Sequence, residues 1–192
     1  MRRPRHAFLR ETTARLHAAV EHEVDQAAFF GSLSSYGSYL VRLLLFHEQL
    51  DGVESVANVV THPHWQVDRR RALLTADLTA LGVDRASVSP RIRRPAIDDA
   101  TTALGALYVV VGASLGARVL VQQAAALSLP AEGGNAYLKA LATSTDWPAF
   151  RELLENEPIS SEARLGEGAN AAFESILEAL TATMPGAVSA RP

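Results

Sequence analysis

Apolar side chains recur at three- and four-residue intervals along most of the chain, which is the period of one face of an α-helix. The clearest stripe predicts a first helix from about Ala7 to Gln26. It is formed by Leu9, Thr13, Leu16, Val20 and Val24. The same period predicts further helices at about 34–60, 68–81, 97–127, 136–143, 148–155 and 161–183. With no convincing strand and no internal repeat, the pattern predicts an all-α, single-domain helical bundle.

Capping signals set the expected helix ends. Ser34 or Ser35 is predicted to begin the second helix as an N-cap residue. Gly82 is predicted to follow the end of the third. Asp98 and Asp99 are expected in the first turn of the long helix, where the helix dipole favours a negative charge. The segments 61–64, 83–95 and 130–135 are predicted connections.

Composition supports a helical chain and removes several kinds of site. The 192 residues include 33 alanines and 25 leucines, which favour helices. The absence of cysteine excludes disulfides, zinc–thiolate sites, iron–sulfur clusters and thiolate-ligated haem. A formal net charge of −3 argues against a dedicated nucleic-acid binder. The length predicts one domain over 1–192, with 1–6 and 185–192 as frayed tails.

The sequence also bears on compartment. No apolar run long enough for a signal peptide follows the first six residues. The longest uncharged stretch runs from Ala100 to Ala117 and is closed by Arg118. It is slightly short for a membrane span and contains three glycines, so a buried helix is predicted rather than membrane insertion. A cytoplasmic location is the default expectation.

Two features of the predicted helices can carry chemistry. Glu21 follows His17 by four residues, so both lie on one helix face, and a carboxylate there can orient an imidazole that binds a metal. An ordinary surface pair has the same spacing. His17 is expected on the core-facing side, whereas His22, about 140° around the helix, is expected to face solvent.

Three glycines share one face of the long helix. Gly105, Gly112 and Gly116 are separated by seven and four residues. Each costs about 1 kcal/mol relative to alanine, so something should compensate. Close helix–helix packing and a flat ligand lying on bare backbone are equally acceptable explanations. Nearby Arg118 can pair with an acidic group of a ligand or of the protein.

Three blocks resemble haem oxygenases of the bacterial, biliverdin-producing type. The first, at 9–21, resembles the helix in which a histidine ligates haem iron and a glutamate one turn later supports it. The second, at 107–120, resembles the family's distal helix, in which a tyrosine precedes a Gly-x-x-x-Gly-Gly pattern. The third, at 147–151 and 170–173, resembles the helices that close the proximal side. Together these blocks follow the family's order and spacing over about residues 9 to 180.

The resemblance implies a role for each matching residue. His17 would be the iron ligand and Glu21 its support, with Phe173 packed beside the proximal face. Gly112, Gly116 and Ser114 would form the catalytic distal side. The further haem-binding residues implied are Arg10 and Arg151, as contacts of the propionates, together with Tyr108 and Arg118.

The sequence departs from the family pattern at two positions of the distal helix. Ala117 replaces the second glycine of the pair, where its methyl group is expected to crowd the haem. Ala113 occupies a position that is polar in many relatives, with Ser114 as a partial substitute. These departures motivate an alternative, a non-catalytic haem carrier or sensor on the same fold.

The implied reaction uses haem as both cofactor and substrate, with O₂ and an external reductant. Biliverdin, carbon monoxide and ferrous iron would be the products. A ferredoxin or reductase is the expected electron donor, and a phytochrome is one possible bilin acceptor. The chain is expected to be a monomer or homodimer.

A di-iron oxidase on a related helical scaffold is a further alternative. It would draw on His47, Glu48 and Glu54, but the Glu-x-x-His pattern that such sites need is missing.

Overall fold

The computed structural model describes residues 3–57, 67–83 and 92–183, and all regular structure in these ranges is helical. The all-α prediction is therefore confirmed. The structure has one helix more than the pattern predicts, because the second predicted helix is two separate helices. The eight helices are α1 (Arg5–Gln26), α2 (Leu33–Gln49), α3 (Val53–Val56), α4 (Val67–Ala80), α5 (Ala100–Ala125), α6 (Ala136–Ala142), α7 (Asp146–Asn156) and α8 (Glu162–Thr181).

The second predicted helix starts within two residues of its predicted position, but its N-cap residue and its end differ from the prediction. Its N-cap is Ser32, whose side chain accepts a hydrogen bond from the amide of Ser35 at 3.1 Å, so helix α2 begins before Ser34. It ends at Gln49 and not near residue 60, because Gly52 has a φ of 77° and turns the chain into α3. The left-handed conformation is available to glycine at little cost, and it stops a right-handed helix. The predicted break at 61–64 lies outside the described residues.

The long helix starts later than predicted, and its first turn does not contain the two aspartates. Asp99 is the N-cap of α5, and its carboxylate accepts the amide hydrogen of Thr102 at 2.8 Å. Asp98 precedes the cap. The side chain of Arg164 on α8 donates to both carboxylates, at 3.0 Å from Asp99, and this ties the start of α5 to α8.

The other predicted ends, those of the first helix included, agree with the structure to within about two residues. Gly82, with a φ of 68°, follows α4, and its amide donates to the carbonyl of Thr79. Ser161 caps α8. The first six residues are not all frayed: α1 begins at Arg5, which is buried and donates to the carbonyl oxygens of Leu154 and Glu157 at the end of α7.

Helix α8 lies between α1 and α5 and holds both in place. The α5–α8 contact is very close because both helices have a glycine there: a methyl group at Gly105 would overlap the carbonyl oxygen of Leu165, and one at Gly168 would overlap that of Thr102. On the other side, Gly166 of α8 faces α1. Glycines at a crossing allow two helix backbones to approach, and here they fix where α5 lies relative to α1.

By length and composition, α5 is apolar enough to cross a membrane. Half of its most apolar stretch is buried inside the protein. Core helices of soluble proteins have the same character, and the burial against α8 agrees with the prediction of a buried helix.

Candidate functional site

Helices α1 and α5 approach each other at two places and leave a cleft between them. At one end, Tyr108 of α5 lies beside the side chain of Thr13 on α1, close enough for Thr13 to lower the pKa of the tyrosine. At the other end, Val24 and Asp25 of α1 line a cavity of about 340 Å³ together with Gln123 of α5. The two helices therefore run in the same direction along the cleft.

The residues that face this cleft follow from the helix period. Starting from the contact of Thr13 with Tyr108, each further turn of α1 presents His17 and then Glu21. Each further turn of α5 presents Gly112 and then Gly116. We call the space between these two rows the α1–α5 cleft.

His17 lies in the cleft with its imidazole accessible. Its side chain is 56% exposed, so the prediction that it faces the core is wrong. The buried stripe of α1 is formed by Leu9, Thr13 and Leu16, and His17 lies at its edge. The expectation that His22 is exposed is confirmed.

Two neighbours orient the His17 ring. Its Nδ1 atom is 3.4 Å from a carboxylate oxygen of Glu21, as the i,i+4 spacing predicts. The ring of Phe173, which is buried on α8, meets the imidazole edge-on with 5.6 Å between ring centroids. A proton on Nδ1, facing the carboxylate, leaves the Nε2 lone pair available to a metal.

The three glycines of α5 have different surroundings. Gly105 is at the α5–α8 crossing, so helix packing explains it. A methyl group at Gly116 would have no atom within 4 Å, and one at Gly112 would meet only Trp147, at 3.6 Å. Helix packing therefore does not require glycine at Gly112 or Gly116. Of the two explanations, the flat ligand is the one that applies to these positions.

The cleft face of α5 is apolar as well as bare. Leu115 and Val119 are 61% and 60% exposed and lie on the same side of the helix as Gly112 and Gly116. Exposed large apolar side chains grouped beside a groove are typical of a ligand-binding surface. The described part of α5 thus offers a planar apolar ligand a surface without protruding side chains at its centre.

Ser114 and Ala117 lie on the other side of the same helix. The Ser114 hydroxyl is buried and donates to the carbonyl oxygen of Val111 at 2.8 Å, so it points into its own helix and not into the cleft. The methyl group of Ala117 is fully buried. The expectation that it crowds a ligand in the cleft is therefore wrong, because the helix period turns it about 100° from Gly116 and into the protein. Ala113 is exposed.

The three candidate arginines are separated. Arg10 is exposed, precedes His17 by two helical turns on the same face, and lies close enough to Tyr108 to affect its ionisation. Burial raises the pKa of Tyr108, and the neighbouring Thr13 side chain and the Arg10 charge partly oppose that rise. Arg10, Thr13 and Tyr108 thus form a polar group at one end of the cleft.

The other two arginines do not join this group. Arg151 lies beside the start of α1, with its Nη2 atom 3.3 Å from Nε2 of His6. That histidine is about 16 Å along the helix axis from His17. Arg118 is exposed on α5, but the helix period turns it well away from the face of Gly112 and Gly116.

Trp147 is the cleft residue whose contacts the sequence does not predict. Its indole packs on Tyr108, with 5.7 Å between ring centroids, and it is the side chain nearest to Gly112. This tryptophan lies in one of the three blocks that resemble the family, but no local periodicity indicates that it touches α5.

The groups invoked for a di-iron site have other partners. His47 is buried, with Nε2 2.9 Å from the hydroxyl of Tyr137, and burial lowers its pKa well below the usual value. A carboxylate oxygen of Glu54 accepts the amide hydrogen of Val67. The described residues contain no group of three or more carboxylates and histidines that could hold a metal ion.

Comparison with known proteins agrees with this geometry. The family model described as "Heme oxygenase" matches residues 6–182. The chain belongs to the heme oxygenase family. It is therefore an enzyme that degrades haem. Of the two departures that suggested a non-catalytic carrier, Ala113 and Ala117, the second does not face the cleft.

One solved structure is similar over the full length. It is the heme oxygenase from Neisseria meningitidis, crystallised with NO and CO bound, with a TM-score of 0.75 and 23% sequence identity. The match covers 98% of this chain and 99% of that chain. At this identity it establishes the fold alone. No curated protein matches the chain.

The residues of the α1–α5 cleft fit haem. A flat macrocycle requires a wall without side chains, which Gly112 and Gly116 provide. Its iron requires an accessible imidazole, which His17 provides. Its carboxylates require cationic or hydroxyl partners at one edge, and Arg10 and Tyr108 lie together there.

Proposed function

We propose that this enzyme cleaves haem oxidatively to biliverdin, carbon monoxide and ferrous iron, using O₂ and electrons from an external donor protein such as a ferredoxin or a reductase. The observation that carries the proposal is the position of His17, accessible in the cleft and opposite a bare glycine face. Bound haem supplies the iron that activates dioxygen and is itself the molecule that is oxidised.

On the α1 side, we assign the iron ligand to Nε2 of His17. A neutral imidazole donates less electron density than a thiolate, which suits oxidation of the macrocycle itself. Glu21 accepts the Nδ1 proton and holds the ring and its tautomer. Phe173 restricts rotation of the imidazole from its edge.

On the α5 side, Gly112 and Gly116 bring the helix backbone close to the macrocycle and restrict the space left for dioxygen. Ser114 is not assigned a role in this proposal, because its hydroxyl donates within its own helix. Leu115 and Val119 exclude water from the apolar edge of the ring.

The test measures products as well as binding. Purified protein is titrated with haem, then incubated in air with ascorbate or with a ferredoxin system, with catalase present to remove free peroxide. We expect biliverdin by chromatography, released iron by a ferrous chelator, and carbon monoxide by a myoglobin trap. Haem that binds but persists through the incubation would contradict the proposal and favour a carrier.

Arg10 is predicted to anchor a propionate, with Arg151 as a matched control on the same surface. A charge-assisted hydrogen bond contributes about 1.5–3 kcal/mol, so Arg10→Gln should weaken haem binding by roughly tenfold or more. Arg151→Gln should leave the dissociation constant unchanged within about twofold, the scatter expected for an exposed charge with no contact to the ligand.

Haem dimethyl ester makes this measurement specific to the propionates. Esterification removes their charge, so the difference between wild type and Arg10→Gln should disappear with the ester. An equal loss of affinity with haem and with its ester would show that Arg10 does not act on a carboxylate.

A further inference from the structure

Trp147 packs against α5 at Gly112, a residue that has no side chain of its own to pack. Its Cζ3 atom lies 3.6 Å from where a methyl group on Gly112 would be, and no other residue outside that helix comes within 4 Å of that point. The indole also packs on Tyr108, one turn earlier on α5. On its other side it stacks on Phe150 at 6.1 Å, and Phe150 is completely buried.

Helix α7, which carries this tryptophan, is fixed at its other end to the start of α1. A carboxylate of Glu155 accepts the backbone amides of Arg5 at 2.9 Å and His6 at 3.1 Å. The guanidinium of Arg5 donates to the carbonyl oxygens of Leu154 and Glu157, at 2.7 and 2.6 Å. α1 donates to Glu155 through its backbone amides and to the end of α7 through the Arg5 side chain, and both sets of hydrogen bonds hold α7 against α1. Helix α7 therefore spans from α1 to the Gly112 turn of α5.

This arrangement connects α1 to the Gly112 turn of α5, in addition to the contact of Tyr108 with Thr13 and to α8, which crosses α5 two turns earlier at Gly105. A glycine-bearing helix bends more readily than one rich in alanine. Val110 and Val111 pack this turn on its core side, whereas on the side of Gly112 the helix has no side chain at that position. A rigid aromatic ring seated on a fully buried Phe150 supplies resistance to such bending from outside the helix.

We propose that Trp147 is a positioning residue, which sets the separation between the Gly112 turn of α5 and the His17 face of α1. It touches neither His17 nor the space next to Gly116 and acts through α5. The separation fixes how closely the distal backbone approaches the ring and which edge of the ring dioxygen reaches. The part concerning haem rests on the proposed function, whereas the separation itself is a property of the protein alone.

The test exploits the absence of cysteine from the chain. Spin labels are attached at His22→Cys on α1 and Ala113→Cys on α5, both exposed positions. The distance distribution between them is measured by pulsed electron resonance on haem-free protein. We expect Trp147→Leu to shift or broaden the distribution, and Trp147→Phe to retain more of the wild-type distance because an aromatic ring remains.

Phe46→Leu is the matched control. Trp147 is half-buried and this phenylalanine is buried, but Phe46 lies on α2 and packs against His47, so its loss removes aromatic packing elsewhere. We expect it to lower the melting temperature without altering the distance distribution. An unchanged distribution in folded Trp147→Leu, or an equal change in Phe46→Leu, would overturn the proposal. If Trp147→Leu does not fold, Trp147→Met, which also removes the aromatic ring and is expected to shift or broaden the distribution, decides by the same measurement.

A second readout addresses the reaction. The ratio of biliverdin isomers should change in the Trp147 variants and not in Phe46→Leu, because loss of stability alone does not alter which edge of the ring is attacked. A changed distance with an unchanged isomer ratio would show that Trp147 sets the width of the cleft but does not decide which edge of the ring dioxygen reaches. That part of the proposal would then be overturned. A third outcome is a changed distance in Trp147→Leu when neither the wild type nor any variant degrades haem. That result would refute the proposed reaction and leave intact the conclusion that Trp147 positions α5.

Discussion

Replacing His17 by alanine is expected to abolish haem degradation and to weaken haem binding by roughly 100-fold, which corresponds to about 2.7 kcal/mol. The variant removes the accessible imidazole on the cleft face of α1, across from the bare glycines of α5. Because His17 makes few buried contacts, the melting temperature of the haem-free protein should change little. The absorption spectrum of added haem should lose the signature of imidazole ligation.

His22→Ala is the matched control, since this histidine lies on the same helix but is exposed away from the cleft. We expect wild-type spectra and turnover from it. Added imidazole should restore the ligation signature in His17→Ala, because the position of the side chain is open to solvent. Wild-type spectra in His17→Ala, or their loss in His22→Ala, would refute the ligand assignment.

Glu21→Gln should have an intermediate effect. Mutation of a carboxylate that orients a metal-bound histidine typically lowers metal affinity or activity by about 10–100-fold. The iron would still be ligated in this variant, so the spectrum should shift and not disappear. Activity equal to that of the wild type would mean that the 3.4 Å contact between the carboxylate and Nδ1 of His17 is an ordinary surface pair.

Alanine substitutions at the three glycines of α5 should change the stability of the haem-free protein in opposite directions, upward at Gly112 and Gly116 and downward at Gly105. Gly116→Ala and Gly112→Ala should each stabilise the haem-free protein by up to about 1 kcal/mol, because alanine favours the helix and meets no clash. For a chain of this size that raises the melting temperature by about 2–4 °C. Both variants should bind haem more weakly, since the methyl group enters the space of the ring.

Gly105→Ala should instead destabilise the protein by about 3 kcal/mol, since its methyl group would overlap backbone of α8. Thermal unfolding of the haem-free proteins, followed by haem titration of the variants that fold, separates the two effects. Ala113→Gly on the exposed side of α5 is the control for helix propensity: it should cost about 1 kcal/mol and leave haem affinity unchanged. Destabilisation by Gly116→Ala would contradict the flat-ligand explanation of that glycine.

The sequence predicts the part of the candidate site that depends on contacts within one helix. The pairing of His17 with Glu21 follows from four-residue spacing on one helix, and the structure has it. The side of α1 on which the imidazole lies was predicted wrongly, because periodicity defines a stripe but not how far a neighbouring helix covers its edge. The apolar stripe places His17 near the core, and α8 in fact leaves it accessible.

Long-range contacts decide the rest. Gly105 and Gly116 are indistinguishable by spacing, and only the approach of α8 shows that the first serves helix packing. Ser114 and Ala117 were expected beside the ligand because they lie within the family's motif, yet the rotation of α5 turns both inward. Trp147 lies on a different helix from the turn it supports, so no pattern within either helix predicts the contact.

The amino-acid sequence by itself determined that the chain is helical, where most helices end, and which residues share a face, because hydrogen bonding, capping and a 3.6-residue period act within one segment. Only the tertiary structure decided which faces are covered and which stay open. That choice depends on the packing of α1, α5, α7 and α8 against one another, and it is what leaves His17 opposite the bare turns of Gly112 and Gly116.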